Sequence, residues 1–176
     1  AMEMLLTDFG HRYAEGLPHH RYYQGNYYVD LMEDKVNELG KKLFNVPQVD
    51  PRPVSGTNAN MAVIFGLTKP GENVTAPDLS GGGHISAAKF GALGFRGLNI
   101  INYPFNEDTM SIDPDGAIKV LKEEKPKLAL FGQSVFLFPV PLKDMRDAFQ
   151  EIGCRVWYDA CLLYTSDAAD ERSSVD

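Results

Sequence analysis

Long apolar runs are missing from this chain: none approaches the roughly 20 residues that a membrane span requires, and the first residues lack the basic-then-apolar order of a secretory signal. We therefore expect no membrane as a partner. Positive charge is also in short supply, with 17 Lys and Arg against 24 Asp and Glu and a net charge of -7. The basic residues are scattered, and a surface of this sign does not seek nucleic acid. Cysteine is scarce as well. Cys154 and Cys161 have no spacing that suggests a disulfide framework or a zinc site, so we expect no metal centre and a cytoplasmic setting. Internal repeats and interdomain linkers are absent. What is present is 176 residues of globular composition, 44% hydrophobic and 23% charged, enough to bury one core. Ala1 in place of an initiator Met leads us to expect residues upstream.

From about residue 30 helical and strand-like segments alternate, the pattern of a layered α/β fold with a mainly parallel sheet. Leu31, Met32, Val36, Leu39 and Leu43 recur at helical spacing and predict an amphipathic helix over 29–44. After a proline-rich connection, 58–67 reads as a short buried helix that stops at the Lys69-Pro70-Gly71 turn. Strands are expected at 73–76, 98–103, 127–131 and 155–158. A glycine-rich turn at 80–83 leads into an expected helix from His84 to about Ala92. Asp113-Pro114, an N-cap with proline in the first turn, starts a helix to about Glu124, and 142–152 reads as an amphipathic helix ending before Gly153.

Three features lie at the strand ends and helix starts of this pattern. In Ser55-Gly56-Thr57-Asn58-Ala59-Asn60 two hydroxyls flank a glycine just before a helix, where free amides, hydroxyls and the helix dipole converge on an anion such as phosphate. An ordinary N-cap serving only the helix's own amides is the plain alternative. In Ser80-Gly81-Gly82-Gly83-His84-Ile85-Ser86 three glycines permit a tight turn that presents one imidazole, able to stack on an aromatic ring or merely to cap. Arg155-Val156-Trp157-Tyr158-Asp159 is a β-rich run ending in a carboxylate, and the carboxyl ends of parallel strands are where such sheets bind ligands. That Asp could hold a pyridinium nitrogen protonated, or could cap the next helix.

The order and spacing of these features resemble the serine hydroxymethyltransferase family over nearly all of residues 11–160. Tyr13-Ala14-Glu15-Gly16, Arg21-Tyr22-Tyr23 and Val29-Asp30 resemble its N-terminal block, and Ser55 to Val63 its phosphate loop. Gly82-Gly83-His84 resembles its next motif, and Lys125-Pro126-Lys127 precedes a strand as in the family. The resemblance implies a pyridoxal 5'-phosphate enzyme of fold type I: a three-layer α/β/α, aspartate aminotransferase-like large domain with a mainly parallel sheet, here incomplete. It implies that Ser55, Gly56 and Thr57 hold the cofactor phosphate, His84 stacks on the ring, Asp159 pairs with the ring nitrogen, and Ser134 lies near the phenolic oxygen. Glu15 would handle protons around the substrate, and Tyr13 and Tyr23 would reach into the neighbouring subunit's site, making a homodimer with shared active sites. The implied reaction is serine–glycine interconversion with a one-carbon carrier, tetrahydrofolate being a possible co-substrate, or a related retro-aldol cleavage of a β-hydroxy amino acid. Another aldolase, decarboxylase or transaminase of the same fold, or a noncatalytic domain that binds a phosphate ligand, are the alternatives.

Departures accompany the match. Gly132 to Pro139 is more apolar than the family's stretch, and Gln24 and Tyr27 replace a glycine and a glutamate, which implies a different substrate or folate pocket. From Cys161 the α/β grammar breaks off, and Cys161 to Ser166 followed by Asp167 to Glu171 resembles a translated sequencing adapter. The expected organisation is therefore an N-terminal, dimer-facing arm over 1–30, a partial cofactor-binding domain over 31–160, and a non-native tail over 161–176 that packs against nothing. The family's cofactor-bonding lysine and substrate-clamping arginine are expected only beyond that junction, so the chain itself is expected to bind the cofactor noncovalently and to be inactive.

Overall fold

A computed structural model describes Glu3 and residues 6–161, and the tail expectation for 162–176 lies outside the described residues. The chain forms two compact units that divide between Pro53 and Val54.

The first unit is organised by polar contacts rather than by an apolar core. Two short antiparallel strands, β1 (Gly16–Leu17) and β2 (His20–Arg21), precede the helix α1 (Tyr27–Phe44), which starts two residues before the expected 29. Of α1 only Asp30 is buried, while Leu31, Met32, Val36 and Leu39 stay exposed. The Arg21 guanidinium donates to Asp30 Oδ1 at 2.7 Å, to Glu33, and to the carbonyls of Ala14 at 2.6 Å and Gly16 at 2.8 Å. His19 N donates to the other Asp30 oxygen at 3.1 Å. Asn26 ties the segment down by donating to the carbonyls of Tyr13 and Tyr23, each at 3.0 Å.

The second unit is built on a parallel sheet in the order β4-β3-β7-β8, where β3 is Asn73–Ala76, β4 Asn99–Asn102, β7 Leu128–Phe131 and β8 Arg155–Tyr158. A two-stranded ribbon, β5 (Phe105–Asn106) with β6 (Ser111–Ile112), leads into the helix α4 (Pro114–Glu124). β7 is buried at every residue, as a central parallel strand covered on both faces must be. Its side chains alternate between two cores. Ala129 and Phe131 join Tyr103, Leu121, Met145 and Phe149 on the face covered by α4 and α5 (Arg146–Ile152). Leu128 and Leu130 join Ile64, Val74, Leu93 and Leu98 on the face covered by α2 (Gly56–Leu67) and α3 (Ala92–Phe95). These are the three layers of an α/β/α sandwich. Among the described residues no helix is long and apolar enough to cross a membrane.

The local chemistry explains both the successes and the failures of the sequence expectations. α4 begins as read, with Asp113 accepting from the Asp115 amide at 3.2 Å and Pro114 in the first turn, and ends where Lys125 turns left-handed at φ 45°. The helix expected over 84–92 does not form. Instead one 3-10 turn spans Ile85–Ala87, because His84 Nδ1 accepts the Ser86 amide and Ala88 then extends. Gly91 also folds back so closely that an added Cβ would lie 2.2 Å from the Ile85 carbonyl oxygen. The helix expected over 142–152 is shortened to Arg146–Ile152; the Leu142 amide bonds the Val140 carbonyl at 2.8 Å and the Arg146 amide that of Lys143 at 3.4 Å, so 142–145 is a turn. α2, expected to be buried, hides Asn60 and Ile64 but leaves Met61 and Phe65 on its exposed side.

Two outcomes are expected. Leu121 of α4 is fully buried in the core with Phe131, Met145 and Phe149, so Leu121→Ala should lower stability by about 2–5 kcal/mol, read as a shift of the urea midpoint of the fluorescence of Trp157, the single tryptophan. In the first unit, the Arg21 guanidinium holds the Asp30 carboxyl below its ordinary range. A lowered folded value means that the stabilisation is present above the unfolded carboxylate pKa and is lost as pH falls through the folded one. The amide signals of Tyr27–Phe44 should therefore lose protection on acidification, and Asp30→Asn should make that loss independent of pH.

Candidate functional site

Three parallel strands end at one edge of the sheet, and each sends its next residues to the same cavity. β3 runs into Pro77 and the glycine turn that presents His84. β7 runs into Gly132-Gln133-Ser134, and β8 ends at Asp159. The opposite wall is the start of α2. Ser55, Gly56, Thr57, Asn60, His84, Ser134 and Asp159 all line this cavity, which encloses about 490 Å³ of space open to solvent. Every residue lining it belongs to the second unit.

The α2 end of the cavity is a helix N-terminus with its first amides free of the helical ladder. Ser55, extended at φ -156°, caps it by accepting the Asn58 amide at 3.0 Å, and Asn58 returns to accept the Val54 amide at 3.3 Å. The cap thus serves the third amide and leaves uncapped those of Gly56 and Thr57, two residues that line the cavity. An added Cβ at Gly56 would stand 2.8 Å from Cys161 Sγ, so the glycine keeps this wall close to the chain that follows Asp159.

The glycine turn is held by Asp78. Its carbonyl accepts the Gly81 and Gly83 amides at 3.1 and 2.8 Å, and the hydroxyl and amide of Ser80 keep its carboxyl below the usual range. Gly82, at φ 88°, could carry no side chain, since a Cβ would lie 2.0 Å from the Val135 carbonyl oxygen. The Gly82 carbonyl accepts the Ser134 amide at 2.8 Å, so the His84 turn and the Ser134 turn are bonded to one another. Gln133, 6% exposed, reinforces them by donating to the Gly81 carbonyl.

Asp159 is set by three bonds. Its amide donates to the Phe131 carbonyl at 2.8 Å, continuing the β7–β8 ladder for one more residue. Its Oδ2 accepts from Asn60 Nδ2 at 2.7 Å and its Oδ1 from the Cys161 amide at 3.0 Å. Cys161 was expected to pack against nothing, yet it lines the cavity. The reason is local: an aspartate that accepts the amide two residues on bends the chain back over its own side chain.

Of the nine candidate residues, the structure gathers Ser55, Gly56, Thr57, His84, Ser134 and Asp159 at the cavity. Tyr13, Glu15 and Tyr23 belong to the first unit and are exposed there, the two tyrosine rings 5.7 Å apart. Asn60 and Gln133 were quoted within motifs but assigned no role. The available signal for Asn60 is an amide on the apolar stripe of the helix, one turn before the buried Ile64. Among the described residues no group of three or more His, Cys, Asp or Glu is placed to hold a metal.

A helix N-terminus, an imidazole and a carboxylate brought together at the carboxyl edge of a parallel sheet form the arrangement with which α/β domains meet small ligands that have an anionic end. The serine hydroxymethyltransferase family model matches residues 1–172. The chain is 68% identical over 159 residues to the serine hydroxymethyltransferase of Picrophilus torridus, 65% over 159 to that of Thermoplasma volcanium, and 50% over 157 to that of Methanocaldococcus jannaschii. Each alignment covers about 90% of this chain and 37% of the relative's length. The chain belongs to the serine hydroxymethyltransferase family, whose cofactor is pyridoxal 5'-phosphate.

The close approach of β7 and β8 supplies a test. Gly132 sits at φ 105° with a Cβ position 2.1 Å from the Asp159 carbonyl oxygen, whereas Gly153 has a similar positive φ of 65° and nothing within 4 Å. Gly153→Ala should cost only the left-handed conformation, about 1–2 kcal/mol. Gly132→Ala must also push the Asp159 backbone away, and should destabilise well beyond that in the same urea titration.

Proposed function

We propose that this chain supplies the phosphate-facing and ring-facing wall of the pyridoxal 5'-phosphate site of a serine hydroxymethyltransferase, an enzyme that interconverts serine and glycine with a one-carbon carrier. The observation that carries the reading is the meeting of the α2 N-terminus, His84, Ser134 and Asp159 around one cavity, although they lie up to about a hundred residues apart in sequence. The donor set fits the group: amides and hydroxyls at Ser55, Gly56 and Thr57 suit a phosphate, and a carboxylate suits a protonated ring nitrogen. When bound, the cofactor supplies a protonated ring that withdraws electrons from the bond being cleaved.

The chain's own residues then have distinct tasks. Ser55, Gly56 and Thr57 hold the phosphate against the positive end of α2. His84 would stack on the ring, Asp159 would keep the proton on the ring nitrogen, and Ser134 would sit near the phenolic oxygen. Tyr13, Glu15 and Tyr23 serve the site of a partner subunit in a homodimer, which accords with their exposure in the first unit, Tyr13 at 73% and Tyr23 at 51%. Glu15 handles the substrate proton, which requires it to come within about 3 Å of that group, directly or through one water. No lysine lines the cavity among the described residues, so we read cofactor binding by this chain as noncovalent and without turnover. The amino-acid substrate, tetrahydrofolate and a cytoplasmic setting complete the proposal.

The experiment is a titration of pyridoxal 5'-phosphate into the 176-residue chain, followed by quenching of Trp157. One equivalent should bind, and Asp159→Ala and Thr57→Val should each weaken binding about ten-fold or more, the scale of a lost hydrogen bond to a charged group. Unchanged affinity in both variants contradicts the reading. For the shared site, a Glu15→Gln subunit mixed with an Asp159→Ala subunit in the uninterrupted enzyme should recover activity on subunit exchange, since one site of each mixed dimer is then intact. No recovery in demonstrated heterodimers places Glu15 outside the partner's site.

A further inference from the structure

We propose that Asn60 is a positioning residue that sets both ring-facing groups at once, orienting the Asp159 carboxylate directly and fixing the tautomer of His84 through Ser86. The proposal rests on the cofactor reading only for its consequence, and its geometry stands without the cofactor.

The bonds have one consistent direction. Asn60 is 4% exposed, and its Nδ2 lies 2.7 Å from Asp159 Oδ2 and 3.4 Å from Ser86 Oγ. An amide nitrogen carries two hydrogens and only donates, so the carboxylate takes one and the hydroxyl oxygen takes the other. Ser86 Oγ, having accepted from Asn60, turns its own hydrogen toward His84 Nδ1, 2.8 Å away. The Ser86 backbone amide, which can only donate, also points at His84 Nδ1 at 3.2 Å. Two donors converge on Nδ1, so that nitrogen must carry a lone pair, and the imidazole proton sits on Nε2. Flipping the Asn60 amide would turn a carbonyl oxygen onto the Asp159 carboxylate in a buried place, which the electrostatics forbid.

Position follows from the fold. α2 buries Asn60 and Ile64, and Ile64 packs in the core with Val74 of β3 and Leu128 and Leu130 of β7. A side chain one turn in from the N-cap therefore reaches Asp159 and Ser86 together, while Ser55, Gly56 and Thr57 of the first turn remain at the phosphate end. A hydrophobic residue at 60 would leave Asp159 Oδ2 and Ser86 Oγ without their donor. Asparagine is thus required for its two hydrogens, beyond the volume it fills.

The test needs no catalysis. The 176-residue chain is labelled with ¹⁵N and its imidazole nitrogens are read by long-range ¹H–¹⁵N correlation, with the signals of His84 identified among the four histidines by their loss in His84→Gln. Wild type should show one tautomer, with an unprotonated Nδ1 and a protonated Nε2. In Ser86→Ala only the backbone amide of residue 86 still donates to Nδ1, and in Asn60→Leu the Ser86 hydroxyl loses the donor that orients it, so both variants should raise the share of the second tautomer, while the ring of His19, in the other unit, stays unchanged. A purely structural role for Asn60 would leave the His84 tautomer unmoved wherever the variant folds. Cofactor affinity then separates the two arms: Asn60→Leu, which also loses the Asp159 bond, should weaken pyridoxal 5'-phosphate binding about ten-fold, and Ser86→Ala, which keeps it, by much less. Should Asn60→Leu not fold, Ser86→Ala carries the tautomer test and Asn60→Ser, a shorter donor, the affinity test. A protonated Nδ1 in wild type, or an unchanged His84 spectrum in Ser86→Ala, overturns the proposal. A wild-type chain that shows the tautomer but binds no cofactor overturns the functional reading alone.

Discussion

The register of β7 against β8 is the constraint from which the site follows. Phe131 lies opposite Tyr158, and the Asp159 amide extends the ladder to the Phe131 carbonyl at 2.8 Å. The two strands therefore leave the sheet side by side, and Gly132 is the only residue type that tolerates the Asp159 carbonyl at that distance with a φ of 105°. A slip of one residue would turn Asp159 to the other face and exchange the two cores. The strict alternation of Leu128, Ala129, Leu130 and Phe131 between those cores resists such a slip, because each residue is buried where it stands.

From that constraint the chemistry is assembled by hydrogen bonds between loops. The Gly82 carbonyl joins the His84 turn to the Ser134 turn, and Asn60 joins the helix that begins at the Ser55 cap to Asp159. Each loop is short, and each is tied to a neighbour that comes from a distant part of the sequence. Binding groups held in this way are ordered before a ligand arrives, which reduces the entropy that binding would otherwise lose.

Much of this was legible in the sequence, and the unreadable part has physical causes. The strands at 73–76 and 155–158 and the helix from Pro114 were legible because apolar runs, an Asp-Pro start and a glycine stop are local signals. The helix expected over 84–92 failed because a side-chain cap at His84 and the close approach at Gly91 are decided by contacts that periodicity does not register. Among the site residues, Ser55, Gly56, Thr57, His84, Ser134 and Asp159 were named from motifs, whereas Asn60 was passed over because its partner lies 99 residues away. The exposed apolar residues along α1, such as Leu39 and Leu43, were read correctly as one stripe, but a pattern cannot say what covers it.

Whether one ligand touches all of these groups is read from a crystal structure of the chain with pyridoxal 5'-phosphate. Phosphate density is expected at the Gly56 and Thr57 amides, with the ring against His84 and an Asp159 oxygen within hydrogen-bonding distance, about 3 Å, of the ring nitrogen. Phosphate bound elsewhere, or a ring turned away from Asp159, would contradict the proposed site.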